Sequence, residues 1–255
     1  MNKAWFTFPQ RRPHAEMRLI CFPYAGGSTA TFTKLASQLP EHIEMVALQL
    51  PGRGIRHHEP SYTNMTKLVK DLARDIKPLL DKPFAFFGHS FGSRVAFELY
   101  RLLQQHGYPT PELFIASGSR GPHLKNTHNP IHLLPETEFI EKIKRIGGTP
   151  PEVAQDNELM ALFTPMLRAD FTMVENHQAQ QLESFTAALV VLGGEGDASV
   201  PYDQLTQWQA HFKAPMQLYQ FSGGHFFIDS HRHLVAQYLN DLLQAYPQLS
   251  NSLAS

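Results

Sequence analysis

Short apolar runs alternate along the chain with longer stretches of helical period. "MRLICF" (17–22), "EMVALQL" (44–50), "PFAFFG" (83–88), "LFIASGS" (113–119), "AALVVLGG" (187–194) and "MQLYQF" (216–221) are near-continuously apolar. That is the pattern of strands covered on both faces, not of strands with one face in water. Between them, "NMTKLVKDLARDIKPLL" sets Met65, Leu68, Leu72, Ile76 and Leu79 on one helical face. "FGSRVAFELYRLLQQHG" does the same with Val95, Leu99, Leu102 and Leu103, and offers Gly107 as a C-cap. "HRHLVAQYLNDLLQAYP" predicts a closing amphipathic helix stopped by Pro247. Strands in alternation with helices predict the α/β class, with a mostly parallel central sheet flanked by helices on both faces.

One interval breaks the alternation. From about 120 to 184 no strand pattern occurs, although βα connections are usually short. The interval holds "LPETEFIEKIKRIGG" and "NELMALFTPMLRADFTMVENHQ", both of helical period, separated by "TPPEV". It reads as a helical lid inserted between the strands at 113–119 and 187–194. In its second half Leu159, Leu162, Phe163, Met166 and Leu167 form an apolar face, suited to packing on the sheet or to lining a chamber. With 255 residues, 42% of them hydrophobic, a single domain spanning 1–255 can enclose a large core and carry this insertion.

A formal net charge of -1 gives no basic field for nucleic acid. The one cysteine, Cys21, excludes an internal disulfide, sits in a run expected to be buried, and fits a reducing, cytoplasmic setting. "MNKAWFTFPQRRPHAEM" lacks the continuous apolar segment of a secretion signal, and no run approaches membrane-spanning length. No nucleic-acid or membrane partner is expected.

The chemistry centres on "GHSFG" at 88–92. It follows an apolar run and opens a helical pattern, the context in which a serine is forced into a sharp strand-to-helix turn above a sheet. Serine needs a base to take its proton, and the base needs an acid to orient it. Asp197 in "GEGDASVP" and His225 in "SGGHFF" each follow a predicted strand, in the chain order Ser, Asp, His. In a parallel sheet such loops converge on one edge. The plainer alternatives are a turn or N-cap role for Asp197, a structural role for His225, and packing within the elbow for His89. "GGEGD" lacks the third glycine of a dinucleotide loop and the Lys-Ser/Thr of a phosphate loop. Metal is not expected: His128 and His132 in "HNPIH" have Pro130 between them.

A tetrahedral intermediate needs two donors at its oxyanion. The Phe91 N–H, next after the serine, is one; the loop "FPYAGGST" after the first long strand supplies the other. Pro23 has no N–H, which favours Ala25 and leaves Tyr24 open.

"FPYAGGS", "LPGRGIR", "GHSFGS", "PMLRADF" and "GGHFF", in that order and spacing from about 17 to 243, resemble the stand-alone type II thioesterases of polyketide and nonribosomal peptide synthesis. Phe91 stands where methionine is common in that family, and His177 where an aromatic is commoner. The resemblance implies the α/β-hydrolase fold with a helical lid. It implies hydrolysis of acyl or aminoacyl groups from the phosphopantetheine arm of a carrier protein, with no cofactor of the enzyme's own. It implies Ser90, Asp197 and His225 as nucleophile, acid and base, with Ala25 and Phe91 at the oxyanion. Tyr24, Phe163, Met166 and Phe226 are the expected substrate contacts. A medium-chain acyl-carrier thioesterase of fatty acid synthesis, a carboxylesterase for small esters and a non-catalytic binding module are the alternatives. Carrier proteins are acidic around the arm, so Arg53, Arg56, Arg120 and Lys125 are expected to form a basic docking rim on a monomeric enzyme.

Overall fold

The computed structural model describes residues 5–126 and 129–253. The six apolar runs form strands β2 (Met17–Phe22), β3 (Ile43–Leu48), β4 (Phe84–His89), β5 (Leu113–Ser117), β6 (Ala188–Gly194) and β7 (Met216–Phe221), preceded by a short β1 (Phe6–Thr7). They lie in one sheet in the order β1-β3-β2-β4-β5-β6-β7. Every neighbouring pair is parallel except β1 with β3. The helices in chain order are α1 (Ala30–Ala36), α2 (Met65–Asp75), α3 (Phe91–Gln105), α4 (Glu136–Ile146), α5 (Pro151–Gln155), α6 (Asn157–Asn176), α7 (Tyr202–Leu205), α8 (Phe227–Ser230) and α9 (Arg232–Leu253). Among the described residues, none is long and apolar enough to cross a membrane.

The continuous apolar character of the inner strands has a direct cause. Successive side chains of a strand point to opposite faces, and both faces here are cores. Ile20, Phe22 and Phe86 pack with residues of α2 and α3 on one side. Leu19, Cys21 and Phe87 pack with residues of α1 and α9 on the other. At the outer edge β7 departs from the expected pattern: it alternates between half-buried and exposed positions up to its buried last residue, Phe221. An edge strand has a neighbour on one side only, so its cover is incomplete.

Local signals explain the helix ends. Asn64 caps α2 by accepting from the Lys67 N–H, and Gly107, at φ +66°, takes the left-handed turn after α3. α9 does not stop at Pro247 but runs to Leu253; one missing N–H costs a helix a ladder bond and a bend rather than its continuation. Helices α4, α5 and α6 fill the interval between β5 and β6; the last three residues of "TPPEV" open α5, with Pro151 at its first position. The apolar face of α6 differs from expectation. Leu159 and Leu162 are exposed, at 37% and 70%, whereas Met160, Met166 and Leu167 are buried. "LMALF" is apolar on all sides of a helix, so its periodicity alone does not choose a face. The far end of α6 is pinned to α3 by His177, whose Nε2 lies 2.8 Å from Glu98 Oε1.

The chain runs from β2 outward to β3, then crosses back to β4 on the other side of β2. Loops leaving the carboxyl ends of β2 and β4 therefore diverge, and that divergence opens a crevice above them.

Candidate active site

Ser90 occupies this crevice, at the end of β4 and the start of α3. Its φ is 53°, and it is the one non-glycine residue with positive φ among those described. Such backbone costs energy and persists only where the surroundings enforce it. Here the Ser90 N–H donates to the Ser117 carbonyl at 2.7 Å. The flanking glycines have separate reasons. A Cβ at Gly88 would lie 2.5 Å from Ser93 backbone atoms, inside the turn, and one at Gly92 would lie 2.0 Å from the Phe22 carbonyl oxygen at the end of β2. No side chain fits either place.

The structure brings the three widely separated residues together. His225 Nε2 is 2.9 Å from Ser90 Oγ, and His225 Nδ1 is 2.7 Å from Asp197 Oδ2. A carboxylate only accepts, so Nδ1 carries the proton and donates, leaving Nε2 free to accept from the serine hydroxyl. Asp197 Oδ1 takes three further donors: the Ser199 and Val200 N–H groups at 2.9 and 3.2 Å and the Ser199 hydroxyl at 2.6 Å. The turn role and the acid geometry are thus divided between its two oxygens. Burial alone would raise the Asp197 pKa; the bonds from His225 and Ser199 outweigh it and hold the carboxyl below its ordinary value. Glycines let the two loops approach. The Gly196 N–H donates to the Gly223 carbonyl at 2.8 Å, and a Cβ on Gly194 would sit 2.5 Å from the Gly224 carbonyl oxygen.

His89, the neighbour of Ser90, lies inside the elbow as expected. Its Nε2–H donates to the His225 carbonyl at 3.0 Å, which obliges Nδ1 to accept from the Ser117 hydroxyl at 2.8 Å. Burial first, and the His225 ring second, push its pKa down to about 3. The unfolded chain binds this proton below about pH 6.5 and the folded chain does not, so stability is complete above that pH and falls as pH drops towards 3. For His89 alone the slope is about 1.4 kcal/mol per pH unit. Burial also lowers His211, to about 4, in the same direction. Melting temperature is expected to fall steadily from pH 6.5 to 4.5 in thermal scans; a flat profile would count against a neutral, buried His89.

The loop after β2 is held by residues expected on the surface. Arg53 and Arg56 are 4% and 2% exposed, and do not form a basic rim. Arg53 grips Asp170 of α6 with two parallel bonds, Nη1–Oδ2 at 2.7 Å and Nη2–Oδ1 at 2.8 Å, and Nη1 also donates to the Gly27 carbonyl at 3.1 Å. Asp170 Oδ2 accepts the Gly26 N–H at 2.8 Å. Arg56 pairs with Glu59 at 2.7 and 2.6 Å and donates to the Gln49 carbonyl. The two arginines satisfy internal acceptors, so their charge is spent inside the fold. Lys125 is exposed, and Arg120 is half-buried.

A cavity of about 1180 Å³ opens on Ser90 and His225. Tyr24, Ala25, Phe91, Phe163, Met166 and Phe226 all line it. The Tyr24 hydroxyl is engaged, donating to Asp229 at 2.7 Å, so the residue meets the cavity with its ring. That ring stands edge-on to Phe226 at 5.2 Å. A Cβ at Gly148 would strike the Phe226 ring at 2.3 Å, so the glycine turn after α4 closes on it. Among the described residues, neither the Ala25 nor the Phe91 N–H donates to a protein acceptor. Of the two histidines of "HNPIH", His132 lies beside Glu175, and His128 is outside the described residues. Sequence reasoning missed Ser199, Asp170 and the structural role of Arg53. "PGRGIR" and "RADF" stood out as motifs, but nothing local in either announced its partner.

A family model for the thioesterase domain matches residues 17–243. Linear gramicidin dehydrogenase LgrE of Brevibacillus parabrevis is 36% identical over 95% of this chain and 93% of its own length. Gramicidin S biosynthesis protein GrsT of Aneurinibacillus migulanus is 35% identical over 94% of this chain and 93% of its own. The crystal structure of ClbQ from the colibactin NRPS/PKS pathway superposes with a TM-score of 0.87 at 32% identity, over 92% of this chain and 100% of that one. Architecture, motifs and relatives agree: the chain belongs to the thioesterase domain family and has the α/β-hydrolase fold.

Proposed function

We propose that this protein hydrolyses acyl and aminoacyl thioesters held on the phosphopantetheine arms of carrier proteins, clearing stalled groups from a polyketide or nonribosomal peptide synthase. The observation that carries the reading is the hydrogen-bonded line Ser90–His225–Asp197 at the mouth of a large cavity lined by aromatic and aliphatic side chains. His225 Nε2 takes the Ser90 proton as Oγ attacks the thioester carbonyl. The Phe91 and Ala25 N–H groups stabilise the oxyanion. The C–S bond breaks, and the thiol arm leaves with the proton from His225. Water, deprotonated by the same imidazole, then releases the acid from Ser90. The three side chains, the two backbone N–H groups, the substrate and water carry every step. Helices α4 to α6 act as the lid of a single unit, with Phe163 and Met166 meeting the acyl chain. The origins of GrsT in gramicidin S biosynthesis and of ClbQ in the colibactin NRPS/PKS pathway support the substrate class. The reading makes the enzyme a cytoplasmic monomer that meets carriers transiently.

Intact-protein mass spectrometry of loaded carrier proteins tests it. The parental protein is expected to return acyl carriers to the free-thiol mass, and a Ser90→Ala protein, lacking only the attacking oxygen, is expected to leave them loaded. Carriers unchanged by a protein that still turns over small oxygen esters would make it an esterase. A profile confined to medium-length fatty acyl groups would move it to fatty acid synthesis.

A further inference from the structure

The hydrolytic reading has no use for Arg94. It stands four residues after Ser90 on α3, one turn along, about 6 Å further down the helix axis. It is 3% exposed and lines the cavity. Among the described residues its guanidinium has one hydrogen-bond acceptor, the Gly121 carbonyl at 3.3 Å from Nη1, and no carboxylate at ion-pair distance; Glu98 acts on it only from further off. Glu98, one turn further on, is otherwise engaged: Oε1 lies 2.8 Å from His177 Nε2, and Oε2 takes two bonds from Arg101 at 2.9 and 2.7 Å.

The remaining neighbours do not neutralise it. Arg120, also on the cavity wall, adds a second cation, with Nη1 3.4 Å from Asn126 Oδ1. His123 and His211 contact each other at 2.9 Å, and burial lowers the pKa of both. Burial, and then Arg120, bring the Arg94 pKa down to about 9, so it remains a cation at neutral pH. Glu175 lines the cavity too, but its carboxylate accepts from the Ile131 and His132 N–H groups and lies against the His132 ring.

Stability does not account for this placement. A buried, unpaired guanidinium is costly, and a cation near a helix N-terminus opposes the helix dipole. A guanidinium in a cavity wall suits a planar carboxylate. We propose that Arg94, seconded by Arg120, is a specificity residue that binds a carboxylate carried on the acyl group, so that the enzyme favours carboxyacyl thioesters over neutral acyl groups of equal size. This deepens the thioesterase reading and rests on it. The position of Arg94 beside the nucleophile assigns it to the acyl group and not to the phosphate at the far end of the arm.

Glutaryl and 5-methylhexanoyl thioesters of N-acetylcysteamine, which match in shape, differ in charge and contain no phosphate, provide the test. The parental protein is expected to favour glutaryl in kcat/KM by about tenfold or more, and Arg94→Met to lower that ratio by about tenfold to a hundredfold. Arg120→Gln, at a half-buried loop position, should move the ratio the same way and covers the case in which Arg94→Met does not fold. A parental ratio at or below one, or a ratio unmoved in the folded variants, overturns the proposal. Should neither thioester turn over, the hydrolytic reading fails by itself. Thermal shift of the parental protein by glutaramate, which carries one carboxylate, against the neutral 5-methylhexanamide then reads the anion site directly: a larger shift with glutaramate supports it, and equal shifts overturn it.

Discussion

An Asp197→Asn protein is expected to fold normally and to lose about 10⁴-fold in kcat. The size of the loss follows from how the carboxylate is shared. Oδ1 accepts from the Ser199 N–H, the Ser199 hydroxyl and the Val200 N–H. An asparagine will keep its one oxygen on those three donors, which turns its NH₂ towards His225 Nδ1. That nitrogen must then accept, so the imidazole carries its proton on Nε2, facing Ser90 Oγ at 2.9 Å. A base already protonated on that side cannot take the serine proton. Steady-state turnover of a small acyl thioester, read beside circular dichroism and melting temperature, checks the expectation. Near-parental turnover in a folded protein would mean that the orienting acid lies elsewhere.

The elbow and the meeting of Ser90, Asp197 and His225 were legible in sequence because each rests on short-range grammar. An apolar strand, glycines around a serine and a run of helical period fit within 17 residues. Asp197 and His225 each follow a strand of the same kind, and parallel topology does the rest. Strand positions were legible for the same reason, since a residue buried on either face must be apolar whichever way it points. What failed was whatever depends on distant partners. Arg53 and Arg56 read as solvated charge, because charge is visible in a sequence and burial of charge is not. The Arg53–Asp170 pair joins residues 117 apart, and no local period reports it. β1, two residues long, is shorter than any pattern. Of the apolar face expected on α6, Met166 and Leu167 are buried but Leu159 and Leu162 are exposed, because the apolar residues there encircle the helix. Arg94 was unread for a related reason: inside "FGSRVAFELY" one arginine looks like the polar side of an amphipathic helix, yet every α3 residue from Phe91 to Tyr100 is buried.

The largest stability effect is expected at that distant pair. Arg53 and Asp170 have side chains 3% and 1% exposed, so Arg53→Met leaves a buried carboxylate with the Gly26 N–H and no cation. Breaking one side of such a pair costs about 3–5 kcal/mol, a melting point about 10 °C lower for a chain of this size. Added salt should change this little, because buried charges are weakly screened. The pair also has a catalytic consequence that stability measurements alone cannot read. Asp170 holds the Gly26 N–H at 2.8 Å, next to the Ala25 N–H assigned to the oxyanion. Releasing that loop by a fraction of an ångström should lower kcat by about tenfold to a hundredfold, with KM less affected. A double variant, Arg53→Met with Asp170→Leu, separates the two effects. Replacing both charges with apolar side chains removes the uncompensated carboxylate, so most of the melting temperature should return. In the double variant the Gly26 N–H loses its Asp170 acceptor altogether, so kcat should be low even as stability returns. Recovery of both quantities would make the pair a structural fastening only. Recovery of stability without turnover would place Asp170 among the residues that position the oxyanion loop.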